Sequence, residues 1–260
     1  MNETHASENE RRTVRAVEIS CEIIDVLRER NDAGVTEIAN ELDVTKGAVY
    51  THLATLKENE LVVKENNKYR LSLRFLGLGE HVRNQMQIRD VVEKEVEKLA
   101  EESGEVAQFM VKEHGRGVYL HKAEGENAVQ TSSFVGDRNP LHSTALGKAI
   151  LAFLPEERVD QIVDQRGLPA KTPNTITDRG ELDEELEQTR EEGLAFDHEE
   201  IFKGLQCVAA PVIDQQGELI GAVSVTGPTS RMQGSRLKEE IAEMVQHASN
   251  VIEVNAAQVR

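Results

Sequence analysis

The chain contains no tryptophan, only two cysteines and few aromatic residues of any kind, 3% of the total. Cys21 and Cys207 cannot build the disulfide framework that staples small secreted domains, and their scarcity suits a reducing compartment. No stretch approaches the roughly 18 apolar residues of a membrane-spanning helix. The opening, MNETHASENERR, lacks the apolar core of a signal peptide. No membrane partner is therefore expected, and the expected location is cytoplasmic. Positive charge is also short: 30 Lys and Arg stand against 47 Asp and Glu, a net charge of −17 over 260 residues. Nucleic-acid binders usually carry a basic balance, but the deficit is uneven. Residues 1–80 hold 11 basic and 15 acidic side chains, whereas 81–260 hold 19 and 32. A polar, acidic surface suits work in molar salt, where counterions relieve self-repulsion, so a halophilic source is expected. An apolar content of 38% still supports packed cores in one or two domains.

Patterning divides the chain. A polar tail, 1–10, is expected to be disordered. Val14, Val17, Cys21, Ile24 and Leu27 then recur at helical spacing and predict a first helix with these residues inward. Asp32, Ala33 and Gly34 end it. Thr36 is the expected cap of a short helix packed through Ile38, Ala39 and Leu42. After the break Asp43, Val44, Thr45, a third helix packs through Val49, Leu53 and Leu56. Leu61 to Val63 and Tyr69 to Leu71 read as strands around Asn66 and Asn67, which tolerate a positive φ. Residues 11–72 thus read as a winged helix-turn-helix, followed by a linker helix at 73–86. From 87 to 260, helices and strands alternate. Strands are expected at Val106 to Val111, Val118 to His121, Ala128 to Val135, 194–196, 205–213 and 218–226. Helices are expected at 144–153, 156–165, 178–192 and from about Arg231. Helices on an antiparallel sheet make this region an α+β, GAF-like domain.

The densest chemistry lies in GLAFDHEEIFKGLQCVAAPVID, residues 193–214. With HSTALGKAILAFL at 142–154 and ELIGAVSVTGP at 218–228, it resembles the effector-binding half of the IclR family of transcriptional regulators. Gly193, Asp197, Glu200, Cys207, Ala209 and Asp214 follow that family's signature. Ile213 departs from it, since an aromatic residue or His is more usual there, and Glu60 stands where similar regulators often place Gly. The resemblance implies a ligand-responsive regulator of double-stranded DNA, homodimeric or homotetrameric, acting on a pseudo-palindromic operator. With the acidity, it points to a halophilic archaeon. The family's usual task implies a carbon-source metabolite as effector: a sugar, a sugar acid, or a small organic or aromatic acid. No cofactor or metal is called for.

The outer face of the third helix offers Thr45, Lys46, Gly47, Tyr50 and Thr51, small or hydrogen-bonding groups that suit the major groove. Arg11, Arg12, Arg15, Lys57, Lys64, Lys68 and Arg70 are the expected phosphate contacts. At the other end, a helix start supplies oriented N–H groups for an anionic ligand. Ser143 and Thr144 are candidate caps there, and Gly147 permits close backbone approach. The resemblance places effector contacts at Ala145, Leu146, Asp197, Cys207, Ser224 and Thr226. Ser224 and Thr226, two apart on a strand, share a face. Two other readings compete. His142, His198, Asp197, Glu200 and Cys207 offer mixed ligands for a metal- or redox-responsive regulator, although no CxxC or HxxxH spacing fixes a site. Cys207, His142 and Asp197 could also form a hydrolase triad. Against that, Cys207 lies inside an apolar strand rather than at a helix start that would activate it.

Overall fold

The computed structural model describes residues 12–256. The tail expected at 1–10 and the candidate Arg11 lie outside them. The chain forms two compact units, the first ending at Gln85 and the second beginning at Met86.

In the first unit, α1 (Arg15–Arg30), α2 (Val35–Leu42) and α3 (Lys46–Glu58) precede a hairpin of β1 (Val62–Glu65) and β2 (Lys68–Leu71), then α4 (Arg74–Asn84). Ile23, Val26, Leu27, Ile38, Val49, Leu53, Leu56, Val62 and Tyr69 form its core. The hairpin closes through Asn66 and Asn67, both at positive φ, with Glu65 opposite Lys68. Those φ values are what a two-residue turn between twisted strands needs. Tyr69 also bridges back to Ala33.

Two expectations here are corrected. The stripe Val14, Val17, Cys21 faces solvent, with Val14 64% and Val17 59% exposed. Helix α1 carries apolar residues on more of its circumference than one packing face needs, and the buried stripe is Ile23, Val26 and Leu27. Thr36 does not cap α2. Gly34 is the N-cap residue, and its N–H donates to Glu37 Oε2 at 2.7 Å. That leaves Thr36 exposed inside the first turn.

The second unit is one antiparallel six-stranded sheet in the order β5-β4-β3-β8-β7-β6, with helices on both faces. Its elements are α5 (Arg89–Ser103), β3 (Val106–Glu113), β4 (Arg116–Glu124), β5 (Arg138–Asn139), α6 (Ala145–Ala152), α7 (Glu156–Arg166), α8 (Arg179–Glu192), β6 (Ala195–His198), β7 (Leu205–Ile213) and β8 (Leu219–Pro228). A π-helical stretch, Arg236–Ile241, runs into α9 (Ala242–Ala256). Period-two alternation sorts the strands' side chains between two cores. Phe109, Val208, Ala210, Val223 and Val225 pack with α5 and α9. Met110, Cys207, Ala209 and Ala222 pack under α6, α7 and α8.

Residues 128–135, expected as a strand, form no ladder. Their hydroxyls pair locally instead: Thr131 Oγ1 lies 3.0 Å from Ser133 Oγ, and Gln108 Nε2 donates to Ser133 Oγ at 2.9 Å. Such side-chain bonds compete with strand pairing. The neighbour of β4 is instead the two-residue β5, and the closing helix, expected from about Arg231, begins at 234.

Candidate functional site

Helix α3 presents one face outward. Thr45 is its N-cap, accepting from the Ala48 N–H at 3.2 Å. Val49, Leu53 and Leu56 are buried, which leaves Lys46, Gly47, Tyr50, Thr51 and Thr55 exposed on the opposite side. Tyr50 is 60% exposed, an unusual position for a large aromatic with no partner to cover it. Of the expected phosphate contacts, Arg12 and Lys57 are exposed and Lys64 lies over the Tyr69 ring at 5.5 Å. Arg15 pairs with Glu22 at 3.0 Å, Lys68 with Asp32 at 2.7 Å and Arg70 with Glu65 at 2.7 Å. Exposed pairs of this kind contribute about 1 kcal/mol at most and exchange readily for a phosphate.

In the second unit, the sheet register brings distant residues into one row. Asp197 on β6 stands opposite Cys207 on β7, and Cys207 stands opposite Thr226 on β8. Thr226 Oγ1 donates to Cys207 Sγ at 3.0 Å. This row lines a cavity of about 30 Å³ with Gln108, Tyr119, Thr131, Ser133, Thr144 and Leu146; Ile201, Phe202, Leu205 and Gln206 complete its wall. Helix α6 enters it end-on. Thr144 caps α6, its Oγ1 accepting from the Gly147 N–H at 2.9 Å. The N–H groups of Ala145 and Leu146 complete the electropositive end of the helix. Gly147 admits close backbone approach, but the backbone is the chain's own. A Cβ there would lie 2.0 Å from the Leu141 carbonyl oxygen.

Electrostatics make the cavity unusual. Burial, reinforced by nearby Glu200, raises the Asp197 carboxyl to about 7, although its Oδ1 accepts from the Glu200 N–H at 2.7 Å. Burial, with Asp197 beside it, pushes the Cys207 thiol up to about 12. The Tyr119 phenol is raised by burial as well. Behind the wall, Lys148 is 1% exposed, with Nζ 2.6 Å from Glu200 Oε1 and 2.7 Å from Glu185 Oε1. Burial alone would lower Lys148; the two carboxylates outweigh it and hold the ammonium charged.

Leu146, Asp197, Cys207 and Thr226 therefore share one cavity. Ala145 and Ser224 are fully buried and do not line it. Ser224 stands opposite Ala209 and Gln108, with its Oγ lacking a hydrogen-bond partner. Gln108, Tyr119, Thr131 and Ser133 went unforeseen. Of these only Gln108 leaves a trace in sequence, as a polar residue inside the apolar run Val106 to Met110.

The same geometry speaks against both competing readings. His142 lines a different cavity, with Nε2 3.2 Å from the Pro169 carbonyl, and burial lowers its pKa. His198 is exposed and stacks on Phe196. Among the described residues no three His, Cys, Asp or Glu side chains converge as a metal site would require. A thiol held near 12 is the opposite of an activated nucleophile.

A winged helix-turn-helix with an open recognition face, and a helix-covered sheet enclosing a polar cavity, define a DNA-binding transcriptional regulator rather than an enzyme. The family model described as "Bacterial transcriptional regulator IclR C-terminal" matches residues 80–254, and one described as "Bacterial regulatory protein, arsR family" matches 19–64. The chain belongs to the IclR family of transcriptional regulators. It is 31% identical over 258 residues to a probable HTH-type transcriptional regulator ArcR of Halobacterium salinarum, covering 98% of each chain. It is 32% identical over 222 residues to the HTH-type transcriptional regulator KdgR of Escherichia coli, covering 85% and 84%. The crystal structure of the Thermotoga maritima IclR superposes with a TM-score of 0.73 at 30% identity, covering 93% of this chain and 96% of that one.

Proposed function

We propose that operator binding by this regulator is controlled by a small, oxygen-rich metabolite held in the cavity of the second unit, a sugar, a sugar acid, or a small organic or aromatic acid. The convergence of the α6 N-terminus with the row Asp197, Cys207, Thr226 on one cavity carries this reading. Ligand control requires different affinity in two arrangements of the protein.

DNA contact is assigned to the exposed face of α3, with Lys46, Gly47, Tyr50 and Thr51 toward the bases and Arg12, Arg15, Lys57, Lys64, Lys68 and Arg70 toward phosphates. Self-association into a homodimer or homotetramer is part of the proposal. Helix α4 buries none of its residues, although Leu76 is 70% and Val82 62% exposed, and a second copy would cover them. Two recognition helices would then match a pseudo-palindromic operator. The acidic balance and the Halobacterium salinarum relative support a cytoplasm of high salt.

A thermal-shift screen of the full-length protein in molar KCl tests the cavity reading with sugars, sugar acids, keto acids and aromatic acids. A ligand at 100 times its Kd is expected to add about 2.7 kcal/mol, a shift of a few degrees. Asp197→Ala should abolish that shift. Stabilisation that survives in Asp197→Ala would place the ligand elsewhere, and the absence of any stabilising compound would refute this ligand class.

A further inference from the structure

The cavity wall carries one carboxyl group and no cation. Its ionisable lining is Asp197, Cys207 and Tyr119. Burial keeps the thiol and the phenol neutral. The nearest ammonium, Lys148, is engaged at 2.6 and 2.7 Å by Glu200 and Glu185, from the turn after β6 and from α8. Glu200, ion-paired to Lys148 through Oε1, leaves its buried Oε2 without a hydrogen-bond partner, and its charge helps to hold the Asp197 carboxyl up. Thr226 faces the same row from β8, whereas His142 and His198 point elsewhere. The Glu200 N–H clamps Asp197 Oδ1 at 2.7 Å, which fixes the carboxyl against the cavity.

A ligand carboxylate drawn to the α6 N-terminus would meet this carboxyl. Two ionised carboxylates cannot share so dry a site, while one proton between them forms a strong, short hydrogen bond. We propose that the effector is a carboxylate taken up together with one proton, with neutral Asp197 donating its O–H to one ligand oxygen and the α6 N–H groups of Ala145 and Leu146 facing the other. This rests on the reading of the cavity as the effector site. Asp197 acquires that proton near neutral pH, since burial has already raised it to about 7. The group that looks most hostile to an acid thus selects for one. A neutral polyol would use the same hydroxyls and Gln108 amide without the proton.

Calorimetry on the full-length protein in molar KCl, from pH 6 to 9, tests this with three acids and their neutral counterparts. The pairs are gluconate with sorbitol, pyruvate with hydroxyacetone, and 4-hydroxybenzoate with 4-hydroxybenzyl alcohol. For an acid that binds, Kd is expected to change little below about pH 6.5 and to rise about tenfold per pH unit above 7. At pH 8, buffers of different ionisation enthalpy should report the uptake of close to one proton. Asp197→Asn, whose amide donates without titrating, should lose the slope; the wild-type profile stands alone if that variant does not fold. A flat profile for a bound acid, or tighter binding at higher pH, would overturn the proton-coupled reading and leave the cavity an effector site. Binding of the neutral counterparts with exclusion of the acids at every pH would do the same. If none of the six compounds binds, the effector assignment falls and this proposal falls with it.

Discussion

Helices α3 and α6 start from the same ingredients and reach opposite ends. Each is capped by a threonine, Thr45 or Thr144, and each carries a glycine and a lysine in its first turn, Gly47 with Lys46 and Gly147 with Lys148. On α3 these residues face solvent. On α6 every residue is buried, and Lys148 is 1% exposed between two carboxylates. A Cβ on Gly47 would meet nothing within 4 Å, whereas one on Gly147 would strike the Leu141 backbone at 2.0 Å. Residue type and capping start a helix; what lies against it decides whether its chemistry faces a large partner or encloses a small one.

The lysines should separate the helices most strongly. Lys148→Met would strand Glu200 inside the protein and leave the half-buried Glu185 unpaired, and loss of one partner from a buried ion pair typically costs about 3–5 kcal/mol. Urea denaturation should show it. Lys46→Ala should change stability by less than about 0.5 kcal/mol, yet weaken operator binding in a gel-shift titration. Equal stability losses in the two variants would erase the contrast.

The buried carboxyl sharpens it through pH. The Asp197 carboxyl stands at about 7 in the folded chain against 3.8 ordinarily. Between those values the folded state holds a proton that the unfolded state has released. Wild-type stability should therefore fall as pH rises from about 4 to 7 and level off above, relative to Asp197→Asn, by a few kcal/mol at most. Parallel denaturation midpoints for wild type and Asp197→Asn from pH 4.5 to 8 would contradict the burial argument.

The glycines give the smallest effects, with opposite signs. Gly147→Ala forces a clash with backbone and should destabilise by about 1–3 kcal/mol. Gly47→Ala should stabilise the fold by up to about 1 kcal/mol, since alanine is the better helix former and the position is open. Thermal melts of both variants would check the pair. A gain at Gly147 would mean that Leu141 can retreat.

Legibility tracked how local each cause was. The α3 core positions, the Asn66–Asn67 turn and the Thr144 cap depend on neighbours within a few residues; Thr144, for example, accepts from the Gly147 N–H. The outward α1 stripe was misread because 3.6-residue spacing supplies candidate faces without saying which one a neighbour covers. Residues 128–135 were misread because strand propensity says nothing of hydroxyl pairing with Gln108, far along the chain. Within the cavity, Asp197, Cys207 and Thr226 could be named from the family motif. Tyr119, Thr131 and Ser133 could not, because their contribution comes from β4 and an irregular loop folding over the row.

By itself the sequence determined the helix-turn-helix, the family, the acidic balance and the residue types at both working ends, since these follow from short-range periodicity, capping and motif. Only the tertiary structure decided that Asp197, Cys207 and Thr226 form one row across three strands, that Lys148 is ion-paired to Glu200 and Glu185, and that Ala145 and Ser224 do not line the cavity. Strand register and burial are set by pairing between segments far apart in the chain, and burial, not residue type, sets the charge of a carboxyl group.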